Sequence, residues 1–409
     1  MASVVVVGGG VIGTTAALAL QRRGVATILV DPDPEWRGAS CGNAGHIAAD
    51  EVEPLASLAT LKGLPRNLFQ RGGPVGLPLR DAAAWVPFGL RLLAATRPTR
   101  FERGKHALAS LTAEALPAWR RLLGEIGAPE LLRDTGHFVI WDDEAKAAAG
   151  RAALAGADTG TCSWRDASEA ELAELSALIR SPGGAVRFSG TGQITDLAGL
   201  AQKLVARFEA LGGVRMRGRA AIDGKSVRLD TGEHVAADCI LVAAGAASGE
   251  LLRPLAHKVP LIAERGYHLQ SSGDGWPEDM PSIFFADRAI FLTRFRSSLR
   301  ATSFVEFGRA DSPPDPRKWA RLRANVRALG LPFDGPVTEW MGARPTLPDY
   351  LPAIGRSVRA PHVYYAFGHQ HLGLTLSATT AEAVSALMAG DAPAVDLAPF
   401  ALERFERRF

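Results

Sequence analysis

The chain has 409 residues, of which 47% are apolar and 22% charged, a composition typical of globular proteins and long enough for two domains. Its 46 basic and 43 acidic residues give a formal net charge of +3, and the two signs are mixed along the sequence. No basic stripe of the kind that binds nucleic acid is visible, so nucleic acid is not an expected partner. A small polar or anionic ligand is compatible with this charge.

The cysteines and the N-terminus bear on the cellular compartment. Cys41, Cys162 and Cys239 are few, odd in number and widely spaced, which argues against a disulfide framework and a cysteine-based zinc site. The N-terminus shows no basic region or cleavage site, so we expect a cytoplasmic protein. The longest apolar stretch, residues 82–96, contains a proline and an arginine and is too short to span a bilayer. It leaves open a peripheral contact with the inner face of the membrane.

The first 31 residues predict a βαβ unit. Residues 4–7 form a β-branched run typical of a buried parallel strand, and the "GGGVIG" that follows fits the spacing G-x-G-x-x-G. A predicted helix then ends at Gly24, and a second strand closes on Asp31. Such a unit binds a pyrophosphate at the helix N-terminus and a ribose hydroxyl at the acidic residue, and an acid here favours FAD or NAD over NADP. The predicted dinucleotide contacts are Gly8, Gly10, Val11, Ile12, Gly13 and Asp31.

A loop of small residues, "RGASCGNAGHIAAD" at positions 37–50, follows the second strand. Small residues and Asn let backbone amides approach a cofactor closely, whereas a nicotinamide enzyme would normally continue with another helix and strand. The loop resembles the one beside the flavin in the D-amino-acid oxidase-like family, in its D-amino-acid dehydrogenase branch. This resemblance implies FAD as the cofactor and predicts contacts at Ser40, Asn43, Ala44, Gly45, His46 and Ile47.

The middle of the chain alternates predicted helices and strands. Residues 51–150 are mostly helical, including residues 106–127, and a strand is predicted at 136–141. Asp196 is expected to cap an amphipathic helix. Successive strands then form a second Rossmann-like half, and its last strand begins at Cys239. In the family that the chain resembles, the turn after this strand, Ala243, Ala244 and Gly245, passes near the cofactor.

From Pro260 to about Glu339 the pattern changes to alternating and aromatic strands that suit an antiparallel sheet. We therefore predict an α/β fold with a discontinuous Rossmann-like FAD-binding domain and an α+β substrate domain whose sheet is mostly antiparallel. The FAD-binding domain is predicted to comprise residues 1–82, 150–258 and 345–409. The substrate domain is predicted to comprise residues 83–149 and 259–344.

Two C-terminal segments extend the resemblance. "WMGARPTLPDYLPAIGRS", residues 340–357, is similar to the family's Gly-x-Arg-Pro run, and "FGHQHLGLTLSATTAEAVSALMAG", residues 367–390, resembles its Gly-His segment. The chain has His-Gln-His where a Gly-Thr type of run is common, which leaves the substrate open. Amides before a helix predicted at 378–388 are expected to face the flavin pyrimidine, which gains negative charge on reduction. The predicted contacts are Gly342, Leu372, Gly373, Leu374 and Thr375.

The two histidines of this segment could instead bind a metal ion. A zinc site would need a third ligand and usually a nearby acid, and the sequence contains neither HExxH nor paired cysteines. We therefore predict no metal site and rank His369 and His371 below the backbone amides around them. His369 remains a candidate for the wall of the substrate pocket.

The resemblance also implies how a substrate amine would be oxidised. The substrate Cα hydrogen must point at flavin N5, the amine must be unprotonated, and the carboxylate must be held. The family places a carboxylate-binding arginine at Arg344, and its planar guanidinium suits two parallel hydrogen bonds. Tyr267 is predicted to contact the carboxylate or amine, and His46 and His268 to shape the pocket or accept the amine proton. Each has a structural alternative: a salt bridge, a strand aromatic or a core histidine.

We hypothesise an FAD-dependent dehydrogenase or oxidase that converts a D-amino acid to its imine and then to the 2-oxo acid. D-proline or hydroxy-D-proline is the favoured substrate. A glycine- or sarcosine-type amine oxidase and a non-catalytic FAD-binding subunit of an amine dehydrogenase remain alternatives, followed by a flavin monooxygenase and an NAD-linked dehydrogenase. The electron acceptor, quinone or oxygen, stays open.

Overall fold

The computed structural model describes residues 3–33, 35–180 and 182–406. The helices of this part of the chain are α1 (Val11–Arg22), α2 (Leu58–Asn67), α3 (Ala82–Ala95), α4 (Pro98–Ala113), α5 (Ala115–Glu125), α6 (Glu144–Ala155), α7 (Glu169–Leu178), α8 (Leu197–Ala210), α9 (Ser248–Leu252), α10 (Pro316–Ala328) and α11 (Gly373–Ala389). The strands are β1 (Ser3–Val7), β2 (Ala26–Asp31), β3 (His46–Ile47), β4 (Val75–Gly76), β5 (Leu132–Arg133), β6 (His137–Trp141), β7 (Ser163–Asp166), β8 (Gly184–Ser189), β9 (Gly192–Ile194), β10 (Val214–Arg217), β11 (Ala220–Asp223), β12 (Ser226–Leu229), β13 (His234–Ala236), β14 (Cys239–Val242), β15 (Ile262–Ser271), β16 (Ser282–Phe285), β17 (Ile290–Phe295), β18 (Ser298–Gly308), β19 (Thr338–Thr346), β20 (Ala353–Arg356) and β21 (Val363–Phe367).

A six-stranded sheet in the order β10-β2-β1-β14-β21-β20 carries the N-terminal βαβ unit. Its strands are parallel except for the antiparallel edge strand β20. Val5 of β1 pairs with Ile28 on one side and Ile240 on the other, which explains the buried β-branched run. The helices α1 and α11 pack against each other, and α8 packs against α1. The predicted Rossmann-like sheet is therefore confirmed.

A second, nine-stranded sheet is mostly antiparallel, as predicted. Its strand order is β19-β15-β18-β17-β16-β6-β8-β7, and β4 pairs with β18. The pairs β16–β6 and β4–β18 are parallel. The pairs β19–β15, β15–β18, β18–β17 and β17–β16 are antiparallel. The fold class predicted from the sequence is thus the observed one.

Three details of the predicted organisation need correction. Strands β4, β7 and β8, assigned to the FAD-binding domain, belong to the nine-stranded sheet: β4 pairs with β18, β8 with β6, and β7 with β8. Helices α4 and α5, assigned to the substrate domain, pack against α11. Strands β11, β12 and β13 form a separate antiparallel sheet instead of joining the Rossmann-like half. Local periodicity identified these elements correctly, but it carries no information about which distant strand or helix each one packs against.

The long C-terminal helix is apolar enough to resemble a membrane span. By length and composition, residues Gln370–Ala389 could cross a membrane, but 72% of an apolar 18-residue stretch within them is buried inside the fold. This helix, α11, packs against α1, α4 and α5. Its apolar character is therefore explained by its place in the core.

A buried charge network joins β15, β18 and α10 on the side of the nine-stranded sheet that α10 covers. Glu306 accepts hydrogen bonds from Arg265, from Lys318 and, at 2.9 Å, from the Tyr267 hydroxyl. The side chains of Glu306, Arg265 and Lys318 are at most 1% exposed. Burial removes the solvation of all three charges, so their mutual hydrogen bonds must replace it.

This burial predicts a large stability difference between two neighbouring cations. Lys318→Met leaves part of the Glu306 charge uncompensated and should cost about 3 kcal/mol, lowering the melting temperature of the purified protein by several degrees. The matched control is Arg317→Met, because Arg317 bonds Asp315 at 2.8 Å with a side chain that is 75% exposed. An exposed pair contributes about 0.2–1 kcal/mol. Equal melting temperatures for the two variants would contradict a stabilising role for the network.

Candidate active site

A cavity of about 1100 Å³ lies between the carboxyl ends of the parallel strands and the nine-stranded sheet. Its wall contains the turns after β1 and β14, the loop after β2, strand β19 and the start of α11. Most of the predicted cofactor contacts line it: Gly8, Gly10, Val11, Ile12, Asp31, Ser40, Asn43, Ala44, His46, Ala243, Ala244, Gly245, Gly342, Leu372, Gly373, Leu374 and Thr375.

Three predicted contacts lie behind the wall and position it. Gly13 is in the first turn of α1, where a Cβ atom would come within 1.7 Å of the Gly8 carbonyl oxygen. Gly45 has a φ of +76°, and its Cα faces the ring of Phe295. Ile47 is fully buried in the hydrophobic core. None of these three residues lines the cavity, and the close packing that requires glycine at positions 13 and 45 is packing against protein.

The glycine turn after β1 is held by backbone and side-chain contacts. Gly8 has a φ of +113°, and a Cβ atom there would lie 2.4 Å from the carbonyl oxygen of Ala243. The Asp31 carboxylate accepts hydrogen bonds from the Gly9 amide at 2.6 Å and the Asp33 amide at 2.8 Å. Burial raises the pKa of Asp31 above its usual value. Asp31 thus fixes the turn as well as facing the place where a ribose would bind.

The N-terminus of α11 approaches the same cavity from the other side. Gly368 and Gln370, with φ values of +79° and +47°, turn the chain from β21 into the helix. Among the described residues, no side chain caps the first turn of α11, which begins at Gly373, five residues earlier than predicted. The Thr375 hydroxyl accepts a hydrogen bond from the Ala48 amide at 3.0 Å and so ties the helix to the loop after β2. The uncapped amides and the helix dipole favour negative charge in the cavity.

Several buried polar atoms on the cavity wall have no hydrogen-bond partner among the described residues. Such atoms are rare in folded proteins and require an explanation, such as a bound ligand. They are His46 Nδ1, Thr302 Oγ1, His369 Nδ1 and Gln370 Oε1. Together with the glycine turn, Asp31 and the uncapped helix, they fit a large polar cofactor such as FAD.

Arg344 faces the cavity from β19 and is held by a buried acid. Its Nη1 donates to Glu264 Oε1 at 3.3 Å and to the carbonyl oxygen of Phe304 at 3.2 Å. The other oxygen of Glu264 accepts from Thr346 at 3.2 Å and from Tyr350 at 3.0 Å. Glu264 is 1% exposed, whereas the Arg344 side chain is 20% exposed. The guanidinium is therefore fixed from behind and accessible from the cavity.

Tyr267 does not reach the cavity, so the prediction that it contacts the substrate is corrected. Its hydroxyl donates to Glu306 and accepts the Asp315 amide at 3.1 Å, within the buried network under α10. Adjacent residues of a strand point to opposite faces. The cavity-side position in "RGYHL" is Gly266, where a Cβ atom would lie 2.3 Å from Arg344 Nη2. The "RGYHL" motif therefore borders Arg344 through Gly266, whereas Tyr267 belongs to the buried network under α10.

His268 lies one layer behind the cavity. Its ring stacks on Trp340 with centroids 4.9 Å apart, and Trp340 itself lines the cavity. A Cβ atom on either Gly42 or Gly342 would collide with the Trp340 ring. Burial lowers the pKa of His268 to about 3. His268 therefore supports Trp340 as a neutral ring, and the structure does not bring it to a substrate amine.

Three other histidines line the cavity, and their pKa values are shifted in different directions. Burial, then His137, lowers the pKa of His46 to about 4, and burial lowers the pKa of His369 to about 3. His369 Nε2 bonds the Thr380 hydroxyl at 3.0 Å. Burial also lowers the pKa of His371, but Glu51, which bonds its Nε2, more than offsets this and raises the pKa above its usual value. His46 and His369 are therefore neutral at pH 7.

Several residues of the cavity wall were not predicted from the sequence. Glu264 could have been found, because it lies two residues before Gly266 on the same face of β15. Glu51, Phe284, Phe291 and Thr302 carry no comparable local signal.

His46, Asp50 and His137 bring potential metal-ligand atoms within 4.8 Å of one another. Ligand atoms in a tetrahedral zinc site lie about 3.4 Å apart, so the absence of a metal site stays a prediction.

The turn geometry predicts which glycine FAD binding requires. Gly13→Ala should push α1 away from Gly8, because its Cβ would meet backbone 1.7 Å away, and the purified protein should lose its FAD. Gly124→Ala is the matched control: Gly124 lies in α5 with nothing within 4 Å of the position that a Cβ would take, so FAD content should be unchanged. The measurement is the ratio of flavin to protein absorbance. Full FAD content in Gly13→Ala would contradict the role of this turn.

Comparisons with known proteins agree with this geometry. The family model "DAO: FAD dependent oxidoreductase" matches residues 3–387. The chain is 30% identical to a D-amino-acid oxidase from Bradyrhizobium diazoefficiens, over 98% of both chains. It is 29% identical to D-amino acid dehydrogenase 2 from Ralstonia nicotianae, over 98% of this chain and 100% of the relative.

Solved structures share the fold. Glycine oxidase from Geobacillus kaustophilus superposes with a TM-score of 0.73 at 21% identity, covering 99% of both chains. L-proline dehydrogenase from P. horikoshii gives a TM-score of 0.74 at 15% identity, covering 99% of this chain and 98% of that one. Since the family model covers nearly the whole chain, the protein belongs to the DAO family of FAD-dependent oxidoreductases.

Proposed function

We propose that the protein oxidises a D-amino acid to its imine, which water then hydrolyses to a 2-oxo acid and ammonia. The observation that carries this proposal is Arg344, held by Glu264 and open to the cavity that the glycine turn also lines. The full-length relatives named D-amino-acid oxidase and D-amino acid dehydrogenase support the D configuration. Bound FAD would supply the oxidant, accepting the equivalent of a hydride from the substrate Cα.

Arg344 would bind the substrate carboxylate. Arg344 Nη1 donates to Glu264 and to the Phe304 carbonyl oxygen. Within the described residues, Nε and Nη2 of Arg344 make no side-chain hydrogen bond. Burial, then Glu264, raises the pKa of Tyr350 well above its usual value, so its hydroxyl stays protonated and donates to Glu264. Glu264 thus remains oriented toward the guanidinium, which fixes the carboxylate-binding group before substrate arrives.

The aromatic part of the cavity wall is suited to an apolar or cyclic side chain. Phe284 and Phe291, whose rings lie 6.2 Å apart, contribute to its wall next to the hydroxyl of Thr302. Aromatic rings favour a compact apolar ring and exclude water, and the unpartnered Thr302 hydroxyl could bond a substituent on that ring. These contacts support D-proline or a hydroxylated D-proline as the substrate class.

His46 is the predicted histidine that we propose to contact the substrate amine. Its pKa of about 4 leaves the ring neutral at pH 7, and its Nδ1 has no hydrogen-bond partner among the described residues. A neutral ring nitrogen beside the cavity can accept a hydrogen bond from the substrate amine and orient it. His369 offers a second neutral ring, also with an unpartnered Nδ1.

The test is anaerobic reduction of the purified, FAD-loaded protein. D-proline, cis-4-hydroxy-D-proline, D-alanine, their L forms, glycine and sarcosine are added separately, and the visible flavin band is followed. We expect the cyclic D compounds to bleach it fastest and the L forms to leave it unchanged. Bleaching by glycine or sarcosine alone would replace the proposal with an amine oxidase of that type. A yellow protein bleached by none would contradict a catalytic role on amino acids.

A substitution that leaves Glu264 unchanged tests whether Arg344 binds the substrate carboxylate. Gly266→Ala places a methyl group 2.3 Å from the present position of Arg344 Nη2 and should displace the guanidinium. We expect KM for the reducing amino acid to rise about tenfold or more, the loss typical of a charge-assisted hydrogen bond, while FAD stays bound. Gly335→Ala is the control, since nothing lies within 4 Å of the place where its Cβ would be. Unchanged KM in both variants would remove Arg344 from substrate binding.

A further inference from the structure

One region of the surface concentrates the exposed large apolar side chains. Within the described residues, six of the eight such side chains lie between positions 55 and 93: Leu55, Leu58, Leu79, Val86, Leu90 and Leu93. Three of them, Val86, Leu90 and Leu93, are spaced by four and three residues on α3 and so share its outward face. Phe88 and Ala95 of α3 are buried beneath them. Exposed apolar groups at this density usually mark an interaction surface.

The same region is strongly basic. Between positions 54 and 100 the cations are Lys62, Arg66, Arg71, Arg80, Arg91, Arg97 and Arg100, and all seven residues are exposed. The acid in this range is Asp81, which is 2% exposed. The chain as a whole has a net charge of only +3, so this concentration is local.

The helices that carry these side chains are neighbours on the surface. Ala56, just before α2, packs in one buried cluster with Ala95 and Leu92 of α3. Helix α2 itself buries none of its residues. Leu55 is 39% exposed and also lines the large cavity, so this surface reaches the cavity edge.

We infer that residues 55–100, here called the α2–α3 surface, dock the protein on an anionic lipid membrane. Apolar side chains would enter the interface between headgroups and acyl chains, while the surrounding arginines and lysine contact anionic headgroups. The positive charge of the α2–α3 surface favours an anionic membrane over a second copy of the chain as its partner. A second copy of the chain would bring like charges together, whereas an anionic bilayer complements both the cations and the apolar groups.

The experiment is cosedimentation of the full-length, FAD-loaded protein with vesicles. We expect binding to phosphatidylcholine vesicles that contain phosphatidylglycerol, weaker binding to pure phosphatidylcholine, and weakening by added salt. Leu90→Asp combined with Leu93→Asp should abolish sedimentation. Arg91→Gln should weaken binding to the anionic vesicles about fivefold, the effect of one basic charge near such a surface.

The matched control is Val358→Asp, because Val358 is 65% exposed and lies outside the α2–α3 surface. This variant should sediment like the unchanged protein, and flavin absorbance verifies that every variant is folded. Absence of vesicle binding by the unchanged protein would overturn the inference, as would equal binding by the double aspartate variant. A dimer in solution that the same variant dissociates, without vesicle binding, would identify the surface as a contact between two copies.

Discussion

The close approach of two turns, one after β1 and one after β14, is the constraint on which the rest of the structure depends. Gly8 lies against the carbonyl of Ala243, and Gly13 brings α1 against Gly8, so neither position has room for a Cβ atom. This contact joins segments that are more than two hundred residues apart. It sets the position of α1, and with it α11, which packs on α1 and presents an uncapped N-terminus to the cavity.

The nine-stranded sheet completes the cavity. One of its faces carries Arg344 and Glu264, and the other face carries the buried charge network. On the cavity face, Gly266 makes room for the Arg344 guanidinium, and Glu264 fixes it. On the other face, Glu306 binds Arg265, Lys318 and Tyr267 beneath α10. The second network holds the strand that carries Glu264, so a rigid, buried charge cluster supports the accessible one. A fixed arginine binds a carboxylate without the entropy loss of ordering a long side chain.

Local signals predicted what is local. The β-branched run, the glycine spacing and the Asp196 cap were correctly placed, and the cap accepts the Gly199 amide at 2.8 Å. Alternation along β15 could have separated Gly266 from Tyr267, but the family resemblance drew attention to the aromatic residue. The membership of β7 and β8 in the second sheet, and the meeting of Glu51 with His371, depend on contacts between distant segments. No spacing or composition encodes those contacts.

We propose that Arg344 binds a carboxylate beside the flavin. The most direct measurement is a titration of the oxidised, FAD-loaded protein with benzoate, a carboxylate without an oxidisable amine, followed by the flavin difference spectrum. The unchanged protein should show a saturable spectral shift. Arg344→Lys keeps a cation next to Glu264 but loses the planar fork, so the dissociation constant should rise about tenfold or more. Equal dissociation constants in the two proteins would contradict the account.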